Sequence, residues 1–149
     1  MTAPSEWPFF QMIYTALQAN SAAFDALSTN ANGLTGIYDH VPQDASDPTS
    51  SQFPFITCGD IGSAEDDDKT ADGLVSTINF HVYSRFNGRM EVLQIMDEIR
   101  SYLHHNNTLS IPAVSITLVE VDRTIAPFLD PDQHTYHGVV RMLFTYHTS

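Results

Sequence analysis

From Leu74 to Tyr83 the chain alternates between apolar and polar positions. Leu74, Ile78, Phe80 and Val82 fall on one side, and Thr77, Asn79 and His81 on the other. A period of two predicts a strand with one buried face. The period lengthens over residues 89–104, where Val92, Leu93, Met96, Ile99 and Leu103 recur at helical spacing, with Glu91, Asp97, Glu98 and Arg100 elsewhere around the axis. "NNT" ends that helix. Residues 5–18 predict another, with Ser5 as cap, Pro8 in the first turn, and an apolar stripe of Phe10, Ile13, Tyr14 and Leu17. Helical patterning resumes at "SAAFDAL" until "NANG" stops it.

Shorter extended segments are predicted at "GIYDHV" and "FPFITCG". Residues 42–52 ("PQDASDPTSSQ") have turn-forming composition, and "DIGSAEDDDKTADG" is expected to be a second polar loop. Residues 113–123 predict a strand whose apolar parity shifts between Leu118 and Val119, as a bulge or burial of both faces would require. The last strand, 136–147, places Tyr136, Val140, Met142, Phe144 and Tyr146 on one face and His137, Arg141, Thr145 and His147 on the other. With no internal repeat and no linker, these elements predict a single α+β domain over residues 1–149: an antiparallel or mixed sheet packed against two helices on one face.

Charge narrows the function. Six basic residues stand against eighteen acidic ones, a formal net charge of −12. No two basic residues are adjacent, so there is no patch to neutralise phosphates, and a grip on nucleic acid is not expected. At 16% the charged fraction is low, which leaves a neutral polar surface suited to extensive contacts. Cys58 is the only cysteine, which excludes an intrachain disulfide and a Cys-rich zinc site and fits assembly in a reducing compartment. The N-terminus has no basic region followed by an apolar core, and no apolar run approaches the roughly 20 residues that span a bilayer, so neither a signal peptide nor a membrane partner is expected.

The densest potential chemistry lies in "FLDPDQHTYHGVVRMLFTYH", residues 128–147, where Asp130, Asp132, His134 and His137 fall within eight residues. These four would be the ligands of a small metal-dependent hydrolase. Against that reading, His134 is expected in a turn and His137 in the strand after it, so their side chains need not converge, and no HExxH-type pattern is present. "DPDQ" is ordinary turn chemistry. His104 and His105 suit the end of the 89–104 helix, and nothing in the sequence places His40 and His81 together. The run Glu65, Asp66, Asp67, Asp68 lacks the alternation of an EF-hand loop and reads first as a solvated segment. No catalytic residue, metal or cofactor is expected.

Three segments in order resemble the tail-terminator family of long-tailed bacteriophages and gene transfer agents: "IYDHVPQDA…QFPFITCGD", "STINFHVYSRFNGRMEVLQIMDEIRSYLH" and "FLDPDQHTYHGVVRMLFTYH". Together they span residues 37–147. The resemblance implies a non-enzymatic virion protein at the head–tail junction, assembled in the host cytoplasm. It implies a homohexameric ring that caps the tail tube, stops its polymerisation, meets the head-completion connector, and lets DNA pass without specific binding. On this reading Glu65, Asp66, Asp67 and Asp68 are the candidate channel or docking surface, and His137, Arg141 and His147 the candidate subunit interface. Another head–tail connector or a tail-tube subunit is the nearest alternative.

Overall fold

A computed structural model describes residues 6–27, 36–39, 53–65, 73–104, 109, 114–131 and 133–148. Its elements in chain order are α1 (Glu6–Ala19), α2 (Ser21–Leu27), β1 (Gly36–Tyr38), β2 (Phe55–Glu65), β3 (Gly73–Ser84), α3 (Met90–Leu103), β4 (Val114–Leu129) and β5 (Tyr136–Thr148). The strands form one sheet in the order β1-β2-β3-β5-β4. β1 pairs parallel to β2 and every other pair is antiparallel, so the sheet is mixed, as the pattern allowed. The fold is α+β.

The helices lie on one face. Phe9, Ile13 and Leu17 of α1, Phe24 of α2, and Val92, Ile95, Met96, Ile99 and Leu103 of α3 share one core with Ile56, Cys58, Ile78, Phe80, Val82, Val140, Met142, Phe144 and Tyr146 of the sheet. Burial of this apolar surface is the main drive for the layer. α2 adds a third helix to the expected two, and the turn before it is tied to α3 by the Asn20 side-chain amide, which donates to Glu98 (3.1 Å).

Several expectations are corrected. On α1 the buried line is Phe9–Ile13–Leu17, while Phe10 and Tyr14 are half-exposed; both faces of this helix are aromatic, and contact with β5 decides between them. On α3, Leu93 is exposed and Ile95 takes its place. Glu91, expected on the polar side, is 1% exposed because Ser84 Oγ donates to its Oε1 (2.6 Å), while the Phe86 amide donates to Ser84 Oγ (3.1 Å). A buried carboxylate needs such partners. Gly88, at φ 127°, supplies the left-handed residue that turns the chain into α3.

β2 runs on through "DIGSAE", predicted as loop, and pairs with β3 as far as Glu65 opposite Leu74. Its register shifts between Gly59 and Gly62, and that irregularity, with the small polar residues around it, hides the strand from an alternation test. β4 extends to Leu129, six residues beyond the predicted end. Its register shifts at Ile116/Leu118, Val121/Arg123 and Ile125/Phe128; the first is the expected bulge, one step earlier than the parity change suggested. Ser5, residues 42–52, "NANG", "NNT", His40 and His105 lie outside the described residues.

Candidate functional site

The second sheet face carries His81, Tyr83, His137, Val139 and Arg141, and its aromatic cluster of Phe53, Phe55, Tyr38 and Tyr83 contains no helical residue. Among the described residues no helix packs on this side. Cross-strand pairing of Tyr83 with His137, and of His137 with Phe128, brings four rings together: Phe55 stacks on Tyr83 (4.8 Å), Tyr83 on His137 (4.2 Å), and Phe128 tilts against His137 (4.8 Å). Arg85 lies over the Phe53 ring (4.1 Å) and donates to Thr135 Oγ1 (3.1 Å), a cation–π contact held by a hydrogen bond.

His137 is the hub. Its Nδ1 lies 3.3 Å from Asp130 Oδ1, and its Nε2 lies 2.7 Å from His81 Nδ1. A carboxylate only accepts, so His137 donates from Nδ1; its Nε2 then accepts from His81 Nδ1–H. The turn that delivers Asp130 is closed by the Asp130 amide donating to the Thr135 carbonyl and the Gln133 amide donating to the Asp130 carbonyl, both 2.8 Å, with Gln133 at φ 61°. No local pattern points to the His81–His137 contact: the two lie 56 residues apart, and only the β3–β5 register joins them.

Burial lowers the His137 pKa below its ordinary value of 6.5, with His81 adding to the shift and Asp130 opposing it. A histidine lowered in the folded state binds fewer protons there than when unfolded. Its contribution to stability is therefore complete above the unfolded value and is lost as pH falls through 6.5 towards the folded value. Thermal melts from pH 7.5 to 5 should show His137→Phe losing less stability on acidification than the wild type. Parallel curves would mean that His137 does not carry this dependence.

Of the four residues of the metal reading, Asp130 and His137 meet, His134 is exposed, and Asp132 is outside the described residues. Both His137 ring nitrogens are engaged, and no group of three or more His, Cys, Asp or Glu able to hold a metal occurs among the described residues. Arg141 Nε lies 3.1 Å from Asp122 Oδ2 without pointing its N–H at it, and Nη2 donates to Thr77 Oγ1 (3.3 Å). Such a half-exposed pair is worth at most about 1 kcal/mol. The His147 backbone pairs with Gly73 and Ser115; its side chain is outside the described residues. Glu65 ends β2, and Asp66–Asp68 follow outside the described residues. The Cys58 thiol is pushed up to about 12, by burial first and Asp39 second, so at neutral pH it is no nucleophile. No helix among the described residues is long and apolar enough to cross a membrane.

The sheet is thus backed by helices on one side and presents rings, imidazoles and a paired arginine on the other. The sequence profile of the family described as "Tail completion protein gp17" matches residues 11–147, and the chain belongs to that family: it is a structural protein of the phage-tail class. Among solved structures it is similar to a chain in "Virion of native gene transfer agent (GTA) particle", with a TM-score of 0.71 and 18% identity over 91% of each chain. That likeness is one of fold. No curated protein matches the sequence.

Proposed function

We propose that the whole chain, residues 1–149, acts as one tail-terminator domain. It forms a homohexameric ring on the tail tube, ends tube polymerisation, and joins the tail to the head-completion connector while DNA passes through the bore. Family membership over residues 11–147 carries this reading. The charge supports it: each copy is −12, a ring multiplies that sixfold, and carboxylates facing the bore repel passing phosphates. The run Glu65, Asp66, Asp67, Asp68 is the surface proposed for the bore or for docking. The second sheet face, with His137, Arg141 and His147, is proposed to turn towards a neighbouring subunit. The ring is a part of the virion, assembled in the host cytoplasm, and it has no turnover of its own.

Immunogold labelling of particles from the native source tests the placement. Label confined to the head–tail junction is the expected result. Label along the whole tail would make the chain a tube subunit, and label absent from particles would remove it from the virion.

A further inference from the structure

Six large apolar side chains are exposed among the described residues, each between 41% and 63%: Trp7, Met90, Leu93, Ile125, Phe128 and Leu129. Five of them gather at one corner. Leu129 pairs with Tyr136, which pairs with Ser84; Ser84 holds Glu91 in the first turn of α3, and Arg89 sits over the Tyr136 ring at 5.6 Å. Met90 and Leu93 therefore lie at the end of the sheet where β4 finishes. Ile125 and Phe128 continue the patch on the second face, where Phe128 touches His137. Two exposed cations, Arg89 and Arg123, flank it.

The opposite sheet edge carries a recess with one acidic lining residue, Asp39. Between α1 and β1 runs a groove of about 420 Å³ lined by Trp7, Phe10, Tyr14, Tyr38 and Asp39, among others, none of them basic. Its wall is a ladder of rings, with Trp7 stacked on Phe10 at 5.9 Å and Phe10 on Tyr14 at 6.1 Å. β1 and β4 are the two edges of the sheet, roughly 19 Å apart at the usual strand spacing.

We propose that these edges are the two halves of one subunit contact: the Met90/Leu93/Ile125/Phe128/Leu129 corner of one copy seats in the Trp7/Phe10/Tyr14 groove of the next, with Arg89 and Arg123 facing Asp39. The proposal rests on the ring reading and names the surfaces that make it. A second copy is the fitting occupant because the chain supplies, at opposite sheet edges, both an exposed apolar patch with two arginines beside it and an aromatic recess whose one charged lining residue is Asp39. A contact between two different surfaces of the same chain propagates head to tail, and closes into a ring when the rotation between neighbours divides a full turn. Aromatic rings at the centre with arginine at the rim is the usual composition of such a contact. The joint is made by side chains and not by sheet extension: three register shifts and Pro127 break up the β4 edge, and its Val121 amide is occupied by His104 Nδ1 (3.2 Å).

Sedimentation velocity on the full chain tests this. The wild type is expected to form a closed oligomer. Leu93→Glu/Leu129→Glu, which spoils the corner, and Trp7→Ser/Tyr14→Asp, which spoils the groove, should each associate at least about tenfold more weakly, with melting curves close to wild type. Mixed one to one, the two variants should form a heterodimer and stop, because one intact corner and one intact groove remain. If a double variant does not fold, Arg89→Glu at its exposed position replaces the first and Trp7→Ser alone the second. Variants that assemble as the wild type does, or a mixture that stays monomeric, would overturn the surfaces and leave the ring standing. A wild type that stays monomeric at every concentration would overturn this edge-to-edge contact, while the ring reading stands or falls on the immunogold placement.

Discussion

Phe9→Ala is expected to destabilise the protein by about 3–5 kcal/mol, the range for truncating a fully buried aromatic. Phe9 has no exposed surface. Its ring meets Phe144 edge-on at 4.9 Å and stacks on Tyr146 at 5.7 Å, and it stands at the head of the α1 line that continues through Ile13 and Leu17. Removing it leaves a cavity between α1 and β5 and loses two ring–ring contacts. Tyr146 is itself fixed by a hydrogen bond between its hydroxyl and Ser76 Oγ (2.9 Å), so the sheet side cannot readily collapse into the space. In urea titration the midpoint should fall with the slope unchanged. Phe10→Ala, on the outer face of the same helix, should cost far less. A Phe9→Ala cost below about 1 kcal/mol would mean that α1 is not docked as described.

The second large effect is expected from adding bulk at Gly138. This residue sits in β5 on the helix-facing side, and a Cβ built there would overlap Met96 Sδ and come within 3.3 Å of Val92 Cγ2. The glycine thus sets how closely α3 approaches the sheet. Its φ is not positive, so the constraint is space and not backbone conformation. Gly138→Val should cost about 1–3 kcal/mol, the usual range for overpacking, and more if Val92 cannot shift. Gly138→Ala is expected to cost less, since the Met96 side chain can change rotamer. Combining Gly138→Ala with Met96→Ala tests the cause: the pair should lose less stability than the two single variants together. Strict additivity would show that Met96 is not the obstacle.

The helix layer reaches both edges of the sheet, α1 at β1 and α3 at β4. α1 forms one wall of the groove at the β1 edge, and α3 carries Met90 and Leu93 to the β4 corner. Loosening either helix should weaken association as well as folding, whereas changes confined to the exposed rings should weaken association alone. The contrast separates a stability defect from an assembly defect in any variant.

The sequence was most legible where a period is local. β3, β5, α1 and α3 declared themselves because alternation and helical spacing depend only on near neighbours. The order of the three family-like segments was equally readable and led to the family that the profile match establishes. What the chain could not declare depended on which segment lies opposite. Phe9 and Phe10 are equally apolar, and only Phe144 and Tyr146 choose between them. Glu91 looks like a surface residue until Ser84 is placed beside it. The extension of β2 and the late half of β4 lack clean alternation, because register shifts and small residues break the period while a neighbouring strand supplies the hydrogen bonds. Asp130 and His137 were visible as a local cluster, but their actual partner, His81, comes from another strand through cross-strand register. Composition and local spacing thus determined most of the elements, the α+β fold class and the acidity of this protein. The tertiary structure decided which ring faces the core, which imidazoles meet, and which apolar side chains remain outside, because each of those is a contact between residues far apart in the chain.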